Sequence, residues 1–136
     1  MKLTLITFFI STLAFVSCKN NQPKPINFGK DQCDHCKMTI TDARFAAELL
    51  TEKGRAYKFD DQLCMKNFEA ENTDKSAKAT LYISDFSTKK LIPLSKATFI
   101  EGGEISSPMS GNKAAFAQKS IAENAAKKMN ATISSY

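Results

Sequence analysis

An order of elements that occurs twice most constrains what this chain can fold into. In the first half, residues 45–51 and 56–59 flank a turn at Gly54 and predict a β-hairpin, although the run FAAELL also suits a helix. A helix over residues 62–71 and a strand over residues 79–86 should follow this hairpin.

The second half repeats the same order. Residues 97–100 and 113–117 predict two strands, with a turn at Gly102 and Gly103. A helix over residues 121–129, capped by Ser120, and a strand over residues 131–134 complete the pattern. We therefore predict an α+β fold of two tandem ββαβ units, with helices packed on small antiparallel sheets.

The N-terminus resembles a lipoprotein signal peptide over residues 1–17. Lys2 gives it a positive start, an apolar run follows, and the run FVSC ends at Cys18. A small residue before a cysteine is typical of the bacterial lipobox. We expect cleavage before Cys18 and lipidation of this residue, so that acyl chains anchor the protein in the cell envelope. An ordinary secretory signal with a chance cysteine is the alternative.

The rest of the chain suits a tether and one domain. Residues 18–30 contain Asn, Gln, Lys and two prolines and predict a flexible tether, and the folded part should begin near Ile26 to Asp31. We expect a domain over residues 31–136, with halves over about 31–86 and 97–136. The net charge is +5, but the lysines are scattered, so we expect no nucleic-acid partner.

A candidate metal site lies in the run CDHCKM. It contains Cys33, His35, Cys36 and Met38, and His35 is the only histidine of the chain. Thiolate, imidazole and thioether together favour a soft or borderline ion, and thioether indicates Cu(I). A redox disulfide and a structural zinc half-site are the alternatives. Once Cys18 is excluded, an odd number of cysteines remains, which argues against a simple disulfide framework.

Further candidate residues lie outside this run. Met109, in the run SPMSG, should lie in an exposed loop, where its thioether is either a ligand or a cover for an apolar edge. The possible additional or supporting residues are Cys64, Met65, Asp60 and Asp61. We expect Cys64 to be buried, and the alternatives are a third sulfur ligand or a helix-end thiolate with a lowered pKa. We expect either aspartate to cap the helix or to accept a hydrogen bond from His35. No catalytic constellation is recognisable, so we do not expect an enzyme.

Four motifs resemble those of the NosL family of nitrous-oxide-reductase accessory lipoproteins. They are C-x-x-C-x-M-x-I from Cys33 to Ile40, FAAEL, G-x-x-Y-x-F-D-D-x-x-C-M from Gly54 to Met65, and S-P-M. The resemblance implies a membrane-anchored copper chaperone facing the periplasm, with the two-unit fold predicted above. It implies Cu(I) ligands at Cys33, Cys36, Met38 and Met109. Lys37 stands where a glycine is common in the family.

The resemblance also implies partners. Family members hand copper towards nitrous oxide reductase and work with the NosDFY membrane transporter. We therefore expect a Cu(I) metallochaperone that serves nitrous oxide reductase or another envelope cuproenzyme. An envelope thiol-disulfide oxidoreductase that uses Cys33 and Cys36 is the alternative. A lipoprotein that only sequesters metal is a third hypothesis.

Overall fold

The computed structural model describes residues 21–136 of the chain. The predicted signal peptide and Cys18 lie outside these residues. Within residues 21–136, no helix has the length and apolar character needed to cross a bilayer.

The first half forms a four-stranded antiparallel sheet with the order β2-β1-β3-β4. Helix α1 packs against β1 and β2, and a single-turn helix, α2, follows it. On the inner face of the sheet, the ring of Phe68 from α1 lies 4.8 Å from that of Tyr57 and 5.2 Å from that of Phe59. The elements of this half are β1 (Ala47–Leu50), β2 (Ala56–Phe59), α1 (Gln62–Glu71), α2 (Thr73–Ser76), β3 (Thr80–Ser84) and β4 (Leu91–Pro93).

The second half forms a three-stranded antiparallel sheet with the order β6-β5-β7. Its helix α3 packs on this sheet mainly through alanines, with Ala122 and Ala126 buried. The elements are β5 (Thr98–Glu101), β6 (Lys113–Phe116), α3 (Lys119–Lys128) and β7 (Thr132–Ser134). Each half therefore contains the order ββαβ, and the α+β fold predicted from the sequence is confirmed.

The structure differs from the sequence prediction at α3 and β4. Helix α3 begins at Lys119 with Gln118 as its N-cap, so Ser120 lies inside the helix and does not cap it. The buried residues of α3 are Ala122 and Ala126, whereas Ile121 is 40% exposed. Strand β4 was not predicted, because it has only three residues and ends in a proline. Proline is tolerated there because β4 lies at the edge of the sheet.

Residues 21–31, which we call the N-terminal arm, lie against the outer face of the first sheet. The backbone N–H of Lys24 donates to both carboxylate oxygens of the buried Glu48, at 2.9 and 3.0 Å. The hydroxyl of Tyr82 donates to the carbonyl of Asn21. The sequence predicted a flexible tether over residues 18–30. The structure places residues 21–30 on the sheet instead, where they bury polar groups of its outer face.

The buried carboxylate of Asp85 joins the two sheets. It lies just after β3 and makes a parallel bridge with Ala115 of β6. Its side chain accepts the N–H of Ala117 at 2.7 Å and those of Ser87 and Thr88 at 3.0 and 2.7 Å. Burial opposes ionisation of this group, but these hydrogen bonds outweigh burial and lower the pKa of Asp85.

We predict that Asp85→Asn destabilises the protein by about 2 kcal/mol at about pH 7, because an amide cannot accept from donors on both sides. The pKa of Asp85 is lower in the folded than in the unfolded protein. Its contribution is therefore complete above the unfolded value of 3.8 and is lost as the pH falls through the folded value. Urea unfolding at about pH 7 and about pH 3 should show the difference between the two proteins shrinking in acid.

The matched control is Asp74→Asn, since Asp74 is an exposed carboxylate on α2. It should change the free energy of unfolding by less than about 0.5 kcal/mol. A loss for Asp85→Asn that stays constant with pH would show that the ionised carboxylate does not link the sheets.

Candidate metal centre

The run CDHCKM forms a tight turn between the N-terminal arm and β1. The N–H of Cys33 donates to the carbonyl of Met38 at 2.8 Å, and the N–H of Lys37 donates to the carbonyl of Cys33 at 3.0 Å. Lys37 has a φ of 66°, a left-handed conformation that favours glycine. Its ammonium group donates to the carbonyl of Asp34, and the side chain is exposed. The turn curls the chain between the two cysteines.

The turn is fixed to the edge of the first sheet. The N–H of Asp34 donates to the carbonyl of Lys58 in β2 at 2.8 Å, and the N–H of Lys58 donates to the Asp34 carboxylate at 2.7 Å. The Lys58 ammonium in turn pairs with Asp31 of the arm at 2.6 Å. Strand β2 leads directly into α1, so the turn is held close to the start of this helix.

The start of α1 supplies a second group of polar side chains. Asp61 is the N-cap and accepts the N–H of Leu63 at 2.9 Å, which confirms the predicted helix cap. Asp60 precedes it and Cys64 lies in the first helical turn. All three of Asp60, Asp61 and Cys64 are buried.

These two segments bring three thiols and one carboxylate together. The Sγ atoms of Cys33, Cys36 and Cys64 and a carboxylate oxygen of Asp60 all lie within 4.8 Å of one another. An ion bonded to sulfur at about 2.3 Å spans two sulfurs that are up to about 4.6 Å apart, so small movements would suffice to close a site. Cys36 is the only partly exposed member of the group, and its thiol donates to Asp60 at 3.5 Å.

The surroundings of the two buried thiols, Cys33 and Cys64, favour their protonated form. Burial raises the pKa of Cys33, although the backbone N–H groups of Asp60, Cys36 and His35 point at its sulfur and oppose this effect. Burial also raises the pKa of Cys64, and the neighbouring Cys33 and Asp60 raise it further. A bound cation would favour the thiolate form of both cysteines, so metal binding should release protons.

The S-P-M loop is held beside this group by Asp61. The carboxylate of Asp61 accepts the Ser107 hydroxyl at 2.5 Å and the Met109 N–H at 3.0 Å. A Cβ at Gly111 would lie 2.7 Å from an Asp61 carboxylate oxygen, so a larger residue would displace the loop. Met109 is partly buried and packs against the apolar cluster that contains Cys33 and Cys64.

The remaining candidate residues lie elsewhere. The Nδ1 atom of His35 is 3.4 Å from the carboxylate of Glu71, in the last turn of α1, and the Asp60 carboxylate faces Cys36 instead of His35. The side chain of Met38 is 56% exposed, and Met65 is fully buried in the core. The structure thus brings Cys33 and Cys36 together with Asp60 and Cys64. The set of metal ligands stays a prediction.

Sequence reasoning gave too little weight to Asp60 and Cys64. Their local signals indicate a helix start and a small buried residue, which is also what each of them is. The run FDDQLC contains the clue, because it places an acid immediately before a helix and a thiol on its first turn. The role of Ser107 in fixing the methionine loop has no local signal.

Comparisons with known proteins agree with this architecture. The NosL family model matches residues 25–135. The fold is similar to the crystal structure of the copper chaperone NosL from Shewanella denitrificans, with a TM-score of 0.72 and 19% sequence identity over 85% of this chain and 93% of that one. None of the curated proteins compared matches the chain. The family match covers most of the sequence, and the chain therefore belongs to the NosL family.

Proposed function

We propose that this protein is a copper chaperone, which binds Cu(I) as cargo and passes it to another protein. The observation that carries the proposal is the convergence of Cys33, Cys36, Cys64 and Asp60 from two separate segments. Membership of the NosL family and the likeness to a solved copper chaperone of this family support it. Soft thiolate ligands are those that Cu(I) prefers.

Zinc is the competing cargo, and the structure gives a specific reason to test it. Three thiols and one carboxylate are a complete tetrahedral set for a structural zinc site. The two ligands that would complete a zinc site with Cys33 and Cys36 are Asp60, just before α1, and Cys64, in its first turn. The position of Met109 against the same cluster favours Cu(I), because thioether sulfur is a poor ligand for Zn(II).

Transfer would proceed by exchange of one ligand at a time. Cys33 and Cys64 are buried and hold the ion from within, whereas Cys36 and Met109 are partly exposed. A ligand of the receiving protein would enter at the exposed side and displace these two first. The ion then leaves without passing through water, and each thiolate regains a proton as it is released.

The cellular location and the partners of the protein are proposed from the family resemblance. Lipidation of Cys18 would anchor the protein to a membrane, facing the periplasm. Nitrous oxide reductase, or another envelope cuproenzyme, would receive the copper, with the NosDFY transporter as a further partner. These points extend the proposal from copper binding to copper delivery. Transfer of Cu(I) from this protein to a purified client protein tests the delivery step.

A thiol-disulfide oxidoreductase is the less favoured function. Such enzymes need a nucleophilic thiolate of low pKa, often at a helix N-terminus. Here Cys33 is buried with a raised pKa, and the two cysteines lie in a turn that precedes β1. We therefore propose that the motif binds metal and does not catalyse disulfide exchange.

The first test is an anaerobic titration of the protein with Cu(I) and, separately, with Zn(II), followed by X-ray absorption of the metal-loaded samples. We expect tighter binding of Cu(I), with sulfur as its dominant neighbour. Cys33→Ser and Cys36→Ser should each lower the Cu(I) affinity more than about 100-fold, because loss of even a supporting residue costs roughly 10- to 100-fold. Cys64→Ala should lower it as well if this third sulfur is a ligand.

Tighter binding of Zn(II), with an oxygen in its coordination shell and no effect of Met109→Ala, would contradict the copper proposal. Turnover of a disulfide substrate that is lost in Cys33→Ser would favour the oxidoreductase instead. Circular dichroism of each variant shows whether lost affinity reflects a lost fold.

The two methionines provide a second test. Met109→Ala should weaken Cu(I) binding, because Met109 lies against the cysteine cluster, whereas Met38 is mostly exposed and Met38→Ala should have the smaller effect. We expect a loss of about tenfold for Met109→Ala, in keeping with a weakly bound thioether. Competition with a Cu(I) chelator measures both variants. The reverse order of effects would place Met38 on the ion and argue for a rearranged turn in the loaded protein.

Asp61 provides a third test, because it positions the S-P-M loop and lies outside the cluster of three cysteines and Asp60. Asp61→Asn places an amide N–H₂ group against the donors of the site, so the S-P-M loop should detach and the helix lose its cap. We expect a loss of about 1–3 kcal/mol in unfolding free energy and a drop in Cu(I) affinity similar to that of Met109→Ala. The double variant should lose little more affinity than either single one. Additive losses of affinity would show that Asp61 does not act through Met109.

A further inference from the structure

We propose that the domain docks directly on the surface of an anionic membrane through a basic face beside the N-terminal arm. This inference rests on the proposed lipid anchor at Cys18. The face is a shallow groove between the arm and the turn that joins β3 to β4. Its lining includes Pro23, Lys24 and Phe28 from the arm and Lys89 and Lys90 from the turn.

The length of chain between anchor and fold is the first argument. The described chain begins at Asn21, and its carbonyl already accepts a hydrogen bond from Tyr82 in β3. Three residue steps separate Asn21 from Cys18, and a fully extended chain covers at most about 10 Å in three steps. A lipidated Cys18 would therefore hold the start of the arm close to the lipid headgroups, and the groove beside Pro23 would come with it.

The charge of the groove is the second argument. Its lining includes three lysines and no acidic residue. Within residues 21–136, no carboxylate forms a salt bridge with Lys24, Lys89 or Lys90. Three acids near them have other main partners: Glu48 is buried beneath the arm, the Asp85 carboxylate accepts backbone N–H groups, and Asp42 pairs with Arg44 at 2.6 Å and attracts Lys89 only from beyond salt-bridge distance. The three ammonium groups are thus available to anionic headgroups.

An exposed aromatic ring is the third argument. Phe28 is 41% exposed, although it lies in a segment with a fixed backbone. The N–H of Asp31 donates to the carbonyl of Asn27 at 2.9 Å, and the N–H of Gly29 donates to the carbonyl of Ile40 at 2.8 Å. Lysines around a rigidly presented aromatic residue are typical of surfaces that bind the membrane interface. The groove therefore has basic side chains, an exposed aromatic ring and a position close to the proposed lipid anchor, which are the features that docking on an anionic bilayer requires.

The test uses the full-length, lipid-anchored protein in vesicles. The chain has no tryptophan, so Phe28→Trp introduces a single tryptophan, which is excited selectively at wavelengths that tyrosine does not absorb. The matched control is Ile121→Trp, because Ile121 on α3 is 40% exposed and Phe28 is 41% exposed. Lipids brominated on their acyl chains quench a tryptophan that enters the bilayer. The vesicles contain phosphatidylcholine with or without phosphatidylglycerol, and mass spectrometry establishes the lipid on Cys18.

We expect strong quenching and a blue-shifted emission for Phe28→Trp in vesicles with phosphatidylglycerol, and neither for Ile121→Trp. Replacement of Lys24, Lys89 and Lys90 by Gln should weaken docking about fivefold per lysine, or about a hundredfold together. Replacement of Lys119, Lys127 and Lys128 on α3 should leave it unchanged. High salt or neutral vesicles should reproduce the effect of the first triple variant.

Equal quenching of the two fluorophores, or quenching of Phe28→Trp that the first triple variant leaves intact, would overturn the proposal. A Cys18 without lipid would overturn it as well. Cu(I) titration of the same samples gives an independent answer on the proposed function, since none of the replaced residues belongs to the cysteine cluster.

Discussion

The buried carboxylate of Asp61 holds two segments of the chain, the start of α1 and the S-P-M loop, in a fixed relation. It accepts hydrogen bonds from Leu63 in α1 and from Ser107 and Met109 in the second half of the domain. A buried polar group is costly without hydrogen-bond partners, so separation of the two segments would leave the Asp61 carboxylate short of partners. Asp60 and Cys64 lie next to this carboxylate in the chain, so the same contacts help to fix their positions. The candidate site therefore depends on Asp61, which does not belong to the cluster itself.

Elements with local signals were predictable from the sequence, and elements without them were not. Helix α1 was predicted over the residues that it occupies, because Asp61 caps it and apolar residues follow at helical spacing. Helix α3 starts at Lys119 after Gln118, whose side chain makes no capping bond, so nothing in the sequence marks its first residue. The pairing of Asp85 with Ala115 joins the two sheets through a contact between distant positions, which periodicity cannot reveal.

The candidate site shows the same division. The two cysteines of CDHCKM are three positions apart in the sequence, and together with His35 and Met38 they indicated a soft metal. Cys36 and Asp60 are 24 positions apart, and Ser107 and Asp61 are 46 positions apart. Their proximity follows from the packing of the turn on β2 and of the S-P-M loop on α1. The Nδ1 atom of His35, the most conspicuous residue of the run, lies 3.4 Å from the carboxylate of Glu71, and His35 does not belong to the cluster.

The unequal burial of the three thiols suits a carrier better than a permanent site. A structural zinc site closes all its bonds inside the protein, and its ligands have no reason to differ in access. Here Cys33 and Cys64 are inaccessible, whereas Cys36 remains partly open beside Asp60. The Cys36 thiol donates a hydrogen bond to Asp60 at 3.5 Å, which holds this partly exposed thiol in position. In the proposed chaperone this open thiol is the one that a receiving protein reaches, and the two buried thiols keep the ion until it does.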